Sequence, residues 1–138
     1  MIAVDTSALM AIVLREPERE AMLATLVSAE RSFISAGTMI EVRVVCMRRG
    51  GALLVSEVDE LIDSLGIETV PVGEAEVSAA SAAIVRYGKG NGHPAQLNFG
   101  DLFSYALAKA RTIPLLFKGH DFAATDIEPA APGPASQV

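Results

Sequence analysis

Short apolar runs alternating with longer segments of helical periodicity predict an α/β domain, with a central parallel sheet of four to five strands flanked on both faces by helices. Three observations carry the prediction. Apolar, β-branched or aromatic runs occur at Ile2-Ala3-Val4, Ser32 to Ser35, Ile67 to Val70 and Pro114 to Phe117. The stretches between them are long enough for the crossover that parallel strands require. At 138 residues and 51% hydrophobic composition, the chain is one domain able to bury a substantial core.

Taken in order, Ile2-Ala3-Val4 reads as a buried strand that ends on Asp5, and Thr6 to Leu14 as the helix that follows. Pro17 suits a first helical turn, and Glu16, Glu18 and Glu20 suit the positive end of a helix running to about Ala29. Ser32 to Ser35 is the second strand, followed by helices over Ala36 to Arg49 and Gly51 to Leu65, the latter stopped by Gly66. Ile67 to Val70 is the third strand and Gly73 to Tyr87 an Ala-rich helix. The glycines and proline of Tyr87 to Pro94 mark a loop, which lacks the Ser/Thr and glycine spacing of a Walker loop. From Asp101 onward, Leu102, Phe103, Ala106, Leu107 and Ala110 predict a buried helix face, with Asp101, Ser104, Tyr105 and Ala108 off it. Pro114 to Phe117 is the fourth strand, Lys118 to Phe122 the turn leaving it, and Asp126 to Glu128 a short last strand. The domain is therefore expected to span residues 1–128, with 129–138 a disordered tail.

Composition narrows the function classes. No charge-free apolar run exceeds nine residues, well short of the ~18 that a membrane helix needs. One cysteine, Cys46, allows neither an internal disulfide nor a cysteine zinc site, and the N-terminus lacks the basic region of a signal peptide, so a reduced, cytoplasmic protein is expected. The net charge of -6 weighs against a general nucleic-acid footprint. Its distribution tempers that. Seven acids and no Lys or Arg lie between Gly50 and Val85, whereas Arg86, Lys89, Lys109, Arg111 and Lys118 are opposed only by Asp101 up to His120.

Three carboxylates stand out against this background. Asp5 ends a strand, where open α/β sheets place ligand chemistry, although it would also cap the next helix. Thr6 and Ser7 beside it either share that cap or support a metal site. Glu41 sits among Met39, Ile40, Val42, Val44 and Val45 with no basic residue three or four positions away. Asp101 stands at a helix mouth, where capping competes with function. Right-handed crossovers bring the strand ends to one side, so these acids and Asp121, after the fourth strand, converge. Carboxylates about 4 Å apart repel by roughly 4 kcal/mol at an effective dielectric near 20, and a hard divalent ion such as Mg²⁺ or Mn²⁺ relieves that.

The ordered set Ile2-Ala3-Val4-Asp5-Thr6-Ser7-Ala8-Leu9, the Glu41 helix, Tyr87-Gly88-Lys89-Gly90 through His93-Pro94-Ala95, Asn98-Phe99-Gly100-Asp101 and Leu115-Leu116-Phe117-Lys118-Gly119 before Asp121 resembles the PIN-domain VapC toxins. That resemblance implies a PIN-like three-layer sandwich and a magnesium-dependent endoribonuclease, the toxin of a toxin-antitoxin pair. It further implies a homodimer inhibited by a cognate VapB antitoxin, which itself supplies any DNA binding. By the same resemblance Asp5, Glu41 and Asp101 match the core acids, Asp121 the more variable fourth, and Thr6 and Ser7 the hydroxyls supporting them. Lys89, His93, Lys109 and Lys118 are the candidate RNA contacts. Two other classes compete: a catalytically silent interaction module of the same fold, and a phosphoacceptor or haloacid-dehalogenase-like domain. The second wants another Asp two positions after the first, where this chain has Ser7.

Overall fold

The computed structural model describes residues 1–130. The elements run β1 (Ile2–Val4), α1 (Thr6–Val13), α2 (Arg19–Ser28), β2 (Ser32–Ser35), α3 (Ala36–Leu65), β3 (Glu68–Val70), α4 (Glu74–Tyr87), α5 (Phe99–Arg111) and β4 (Leu115–Leu116). The four strands form one sheet in the order β3-β2-β1-β4. Every pairing is parallel, with Ala3 opposite both Phe33 and Leu115. The chain steps from β1 to β2 on one side and later lays β4 on the other. The C-terminal end of β1 is therefore the point where strand order reverses, and Asp5 stands there.

Alternation along each strand splits the core into two halves. Val4, Ile34 and Leu116 pack with Leu9, Ile12, Val42, Cys46 and Val58 on the α1 and α3 side. Ala3, Phe33 and Leu115 pack with Tyr105, Leu107 and Phe122 on the α5 side. Burial on both faces explains why the strands read as continuous apolar runs. Among the described residues, no helix is long and apolar enough to cross a membrane.

The two helices expected on either side of Gly50-Gly51 form, and α3 comprises both, with the chain turning between them at Gly51. Gly51 has φ 69° and ψ -160°, outside helical geometry, and Arg43 bonds Asp59 across the bend at 2.6 Å. Gly66 closes the second arm in the left-handed conformation, at φ 65°. The expected last strand at Asp126 to Glu128 does not form. A single bridge joins Leu115 to Pro129 instead, with the Leu115 amide donating to Glu128 and the Ala130 amide to Leu115. A two-residue β4 offers too short an edge for a longer ladder. The expected tail thus meets the sheet at Pro129 and Ala130, and 131–138 lie outside the described residues.

Candidate active site

Asp5 is both the cap of α1 and part of a wider network. Its Oδ2 accepts the Ser7 amide at 3.0 Å and the Ser7 hydroxyl at 2.6 Å, and its Oδ1 accepts the Ser104 hydroxyl at 2.5 Å. Capping and function are not alternatives here, because the cap engages only one oxygen. The Ser7 hydroxyl accepts the Lys118 amide at 3.0 Å, tying the turn after β4 to the same carboxylate.

Glu41 lies in the second turn of α3, where Thr6 donates to its Oε1 at 2.6 Å. Burial pushes the Glu41 carboxyl above the usual range, the Thr6 bond opposes this, and the charge of Asp5 adds to the rise. Gly100 is what lets α5 approach so closely, since a Cβ built there would fall onto the Glu41 carboxylate. The absence of a local cation beside Glu41, legible in the sequence, is thus matched by a carboxylate inserted against the neighbouring helix.

Asp101 is not the cap of α5. Asn98 holds that position, accepting the Asp101 amide on its side chain, while Asp101 Oδ2 accepts the Asn98 amide, both at 3.0 Å. Burial pushes the Asp101 carboxyl up to about 7; the Asn98 bond works against this, and the charges of Asp5, Asp121 and Glu41 reinforce it. The buried face of α5 also differs from expectation. Asp101, Ser104, Tyr105 and Ala108 are buried, together with Ala106 and Leu107, whereas Leu102, Phe103 and Ala110 are only partly so. The polar residues on that face have distant partners: Ser104 reaches Asp5, and Tyr105 donates to Asp126 at 2.7 Å.

Asp121 sits exposed in the turn after β4, near enough for its charge to act on Asp101. The candidate basic residues are less uniform. Lys118 pairs with Glu16 at 2.9 Å and with Glu18 at 3.4 Å, and Lys109 pairs with Asp126 at 2.6 Å. His93 is built into its loop, its Nδ1 accepting the Ala95 amide at 3.0 Å and its ring meeting Tyr87 edge-on at 4.9 Å. Lys89 is exposed, and a bridge between Gly88 and Leu97 closes the loop just before Asn98.

The four acids share one edge of the sheet without closing on a common point. Among the described residues, no three His, Cys, Asp or Glu side chains stand as a ready metal cage. Their chemistry nevertheless fits a hard divalent cation: all four are carboxylates, Glu41 and Asp101 are raised by burial and by the charge of neighbouring acids, and the Gly100 gap admits Glu41. Asp5 and Asp101 would be the first ligands of such an ion, with Glu41 and Asp121 able to complete the set directly or through water. The signals missed in the sequence are Ser104, one turn past Asp101, Asn98 as the cap, and Gly100 as the spacer.

The PIN domain model matches residues 2–128. Ribonuclease VapC42 of Mycobacterium tuberculosis is 42% identical over 127 residues, covering 92% of this chain and 97% of its own. Ribonuclease VapC28 of the same organism is 40% identical, covering 92% and 96%. Among solved structures, VapC20 of Mycobacterium tuberculosis, described as a sarcin-ricin loop cleaving toxin, superposes with a TM-score of 0.76 at 20% identity over 96% of this chain and all of that one. VapBC2 of Rickettsia felis, bound to a DNA fragment from its promoter, gives 0.71 at 14% identity over 94% and 96%.

Proposed function

This chain belongs to the PIN-domain family, among the VapC ribonucleases, and on that premise we propose that it is a Mg²⁺-dependent endoribonuclease toxin. The observation that carries the proposal is the acid set of buried Asp5, buried Asp101 and half-buried Glu41, with Asp121 at its rim, in which burial first and neighbouring acid charge second raise Glu41 and Asp101. A purely structural role does not need carboxylates held above their usual range by burial and neighbouring acids with no cation to answer them.

When bound, Mg²⁺, or Mn²⁺ in its place, supplies an activated water for attack on phosphorus and positive charge for the phosphodiester oxygens. Asp5 and Asp101 would hold that ion. Ser7 keeps one oxygen of Asp5 turned toward α1, and Thr6 fixes Glu41. Asn98 holds Asp101 by its amide, and Asp101 would have to be ionised to serve as a ligand. Lys89 is the exposed base best suited to an RNA phosphate; the ion pairs of Lys109 and Lys118 make their part in RNA binding secondary.

The partner is a VapB-type antitoxin, which inhibits the enzyme and contributes the DNA-binding part. The chain is a homodimer of the cytoplasm. Exposed apolar side chains at Ile40, Met47, Val77, Ile84 and Phe99 support protein partners, because soluble monomers rarely leave so many uncovered together.

The test is cleavage of total RNA by antitoxin-free protein with Mg²⁺, Mn²⁺ or EDTA, with product ends mapped. Metal-dependent cuts leaving 5′-phosphate and 3′-hydroxyl ends are expected. Cyclic 2′,3′-phosphate ends, or cuts that persist in EDTA, overturn the mechanism. A folded, metal-binding protein that cuts nothing favours the silent interaction module.

A further inference from the structure

We propose that Thr38 and Ser104 act as positioning residues, forming a directional hydroxyl relay that leaves Asp5 a single open acceptor site, on Oδ1, for the divalent cation. The inference rests on the metal-dependent reading above and concerns how this chain prepares that ligand.

The three groups are enclosed: Thr38 is 0% exposed, Ser104 1% and Asp5 4%. Thr38 Oγ1 lies 3.2 Å from Ser104 Oγ, which lies 2.5 Å from Asp5 Oδ1. Counting protons fixes the direction. An ionised carboxylate only accepts, and a serine hydroxyl has one proton to give. Ser104 therefore donates to Asp5, and Thr38 donates to Ser104. The second distance is in the range of a charge-assisted O–H···O⁻ bond.

On the other oxygen, the Ser7 amide and hydroxyl both reach Oδ2 and fill its two acceptor sites. Three of about four lone-pair positions on the carboxylate are thereby occupied. The one that remains is on Oδ1, beside the Ser104 bond. Asp5 is thus set to bind a cation through that atom alone, its plane held from both sides.

The relay also joins the elements that carry the other acids. Thr38 lies on α3 three residues before Glu41, and Ser104 lies on α5 three residues after Asp101. A buried helical serine ordinarily returns its proton to the carbonyl one turn back. Ser104 instead spends it on a carboxylate 99 residues away in sequence. Packing alone would be served as well by Ala at 104 and Val at 38.

Titration of Mn²⁺ into the full chain without RNA, with free Mn²⁺ read by electron paramagnetic resonance, tests this apart from activity. Ser104→Ala should weaken Mn²⁺ binding by about ten- to a hundredfold, the usual effect of losing a partner behind a ligand. Thr38→Val keeps the volume and removes the proton, and should weaken it about fivefold, the worth of one hydrogen bond. Thr38→Ser keeps the hydroxyl and should bind as the parent does. Unchanged affinity in Ser104→Ala, or a loss in Thr38→Ser equal to that in Thr38→Val, overturns the relay while leaving the metal reading intact. A parent protein that binds no Mn²⁺ overturns both. Should Ser104→Ala fail to fold, the Thr38 pair decides by the same criterion.

Discussion

Each end of α5 has a carboxylate at it, Asp126 packed against the C-terminal end and Asp101 within the first turn, with opposite results. At the C-terminal end, Asp126 accepts bonds from Tyr105 and Lys109. Burial works to raise its carboxyl, but the Lys109 and Tyr105 bonds win and hold it below the usual range, while burial and Asp126 together push the Tyr105 hydroxyl up. At the N-terminal end, burial raises Asp101 to about 7, and the charges acting with it are all carboxylates. The internal cation makes the difference. An acid that already has its lysine is finished as structure, whereas acids held only by amides and hydroxyls keep an unmet demand for positive charge.

The comparison can be broken by removing each acid in turn. Asp101→Asn should lower RNA cleavage by at least about a hundredfold, given that even partners behind a ligand commonly cost ten- to a hundredfold. Metal-free stability should rise in the same variant, as a repelling carboxylate is gone. Asp126→Ala should do the reverse, lowering stability by about 1 to 2 kcal/mol through the orphaned Tyr105 hydroxyl while leaving cleavage near the parental rate. Parallel activity assays and thermal melts separate the two. A catalytic collapse in Asp126→Ala with Asp101→Asn active would invert the account.

A smaller effect is expected at the contact between helices. Gly100→Ala puts a methyl onto the Glu41 carboxylate, the end of a flexible and half-buried side chain, so the carboxylate swings aside with little loss of stability. Cleavage should fall with it, and activity at the parental level would show that Glu41 does not need its present seat.

The same contrast sets the pH dependence of the metal-free protein. The folded carboxyl of Asp101 titrates near 7 and the unfolded one near 4, so between these values the folded state binds the extra proton. Stability should therefore fall as pH rises from about 4 to 7, by at most about 1.4 kcal/mol per pH unit from this group. Glu41 is raised as well and acts in the same direction. Added Mg²⁺ should flatten the slope, and a melting series in EDTA and in Mg²⁺ measures both curves.

These contrasts also show which features the sequence could carry. Strand ends were legible because Val4 and Asp5 mark the change from buried to functional within one step, and Gly50-Gly51 announced the bend in α3. Glu41 was legible by what it lacks, a cation one turn away. The buried face of α5 was not, because Ser104 and Tyr105 look solvent-facing until their partners, Asp5 and Asp126, are known. Local periodicity scores a hydroxyl as polar and has no term for a distant acceptor. The same limit hid the commitments of Lys109 to Asp126 and of Lys118 to Glu16, both made across long separations in the chain.

The most direct test of the central claim is the proton balance of cation binding. Calorimetric titration of Mn²⁺ near pH 6.5, repeated in buffers of different ionisation enthalpy, counts protons released per ion bound. A cluster kept partly protonated for want of a cation predicts net release, lost together with tight binding in Asp101→Asn. Binding with no proton release, or release that Asp101→Asn leaves unchanged, would contradict it.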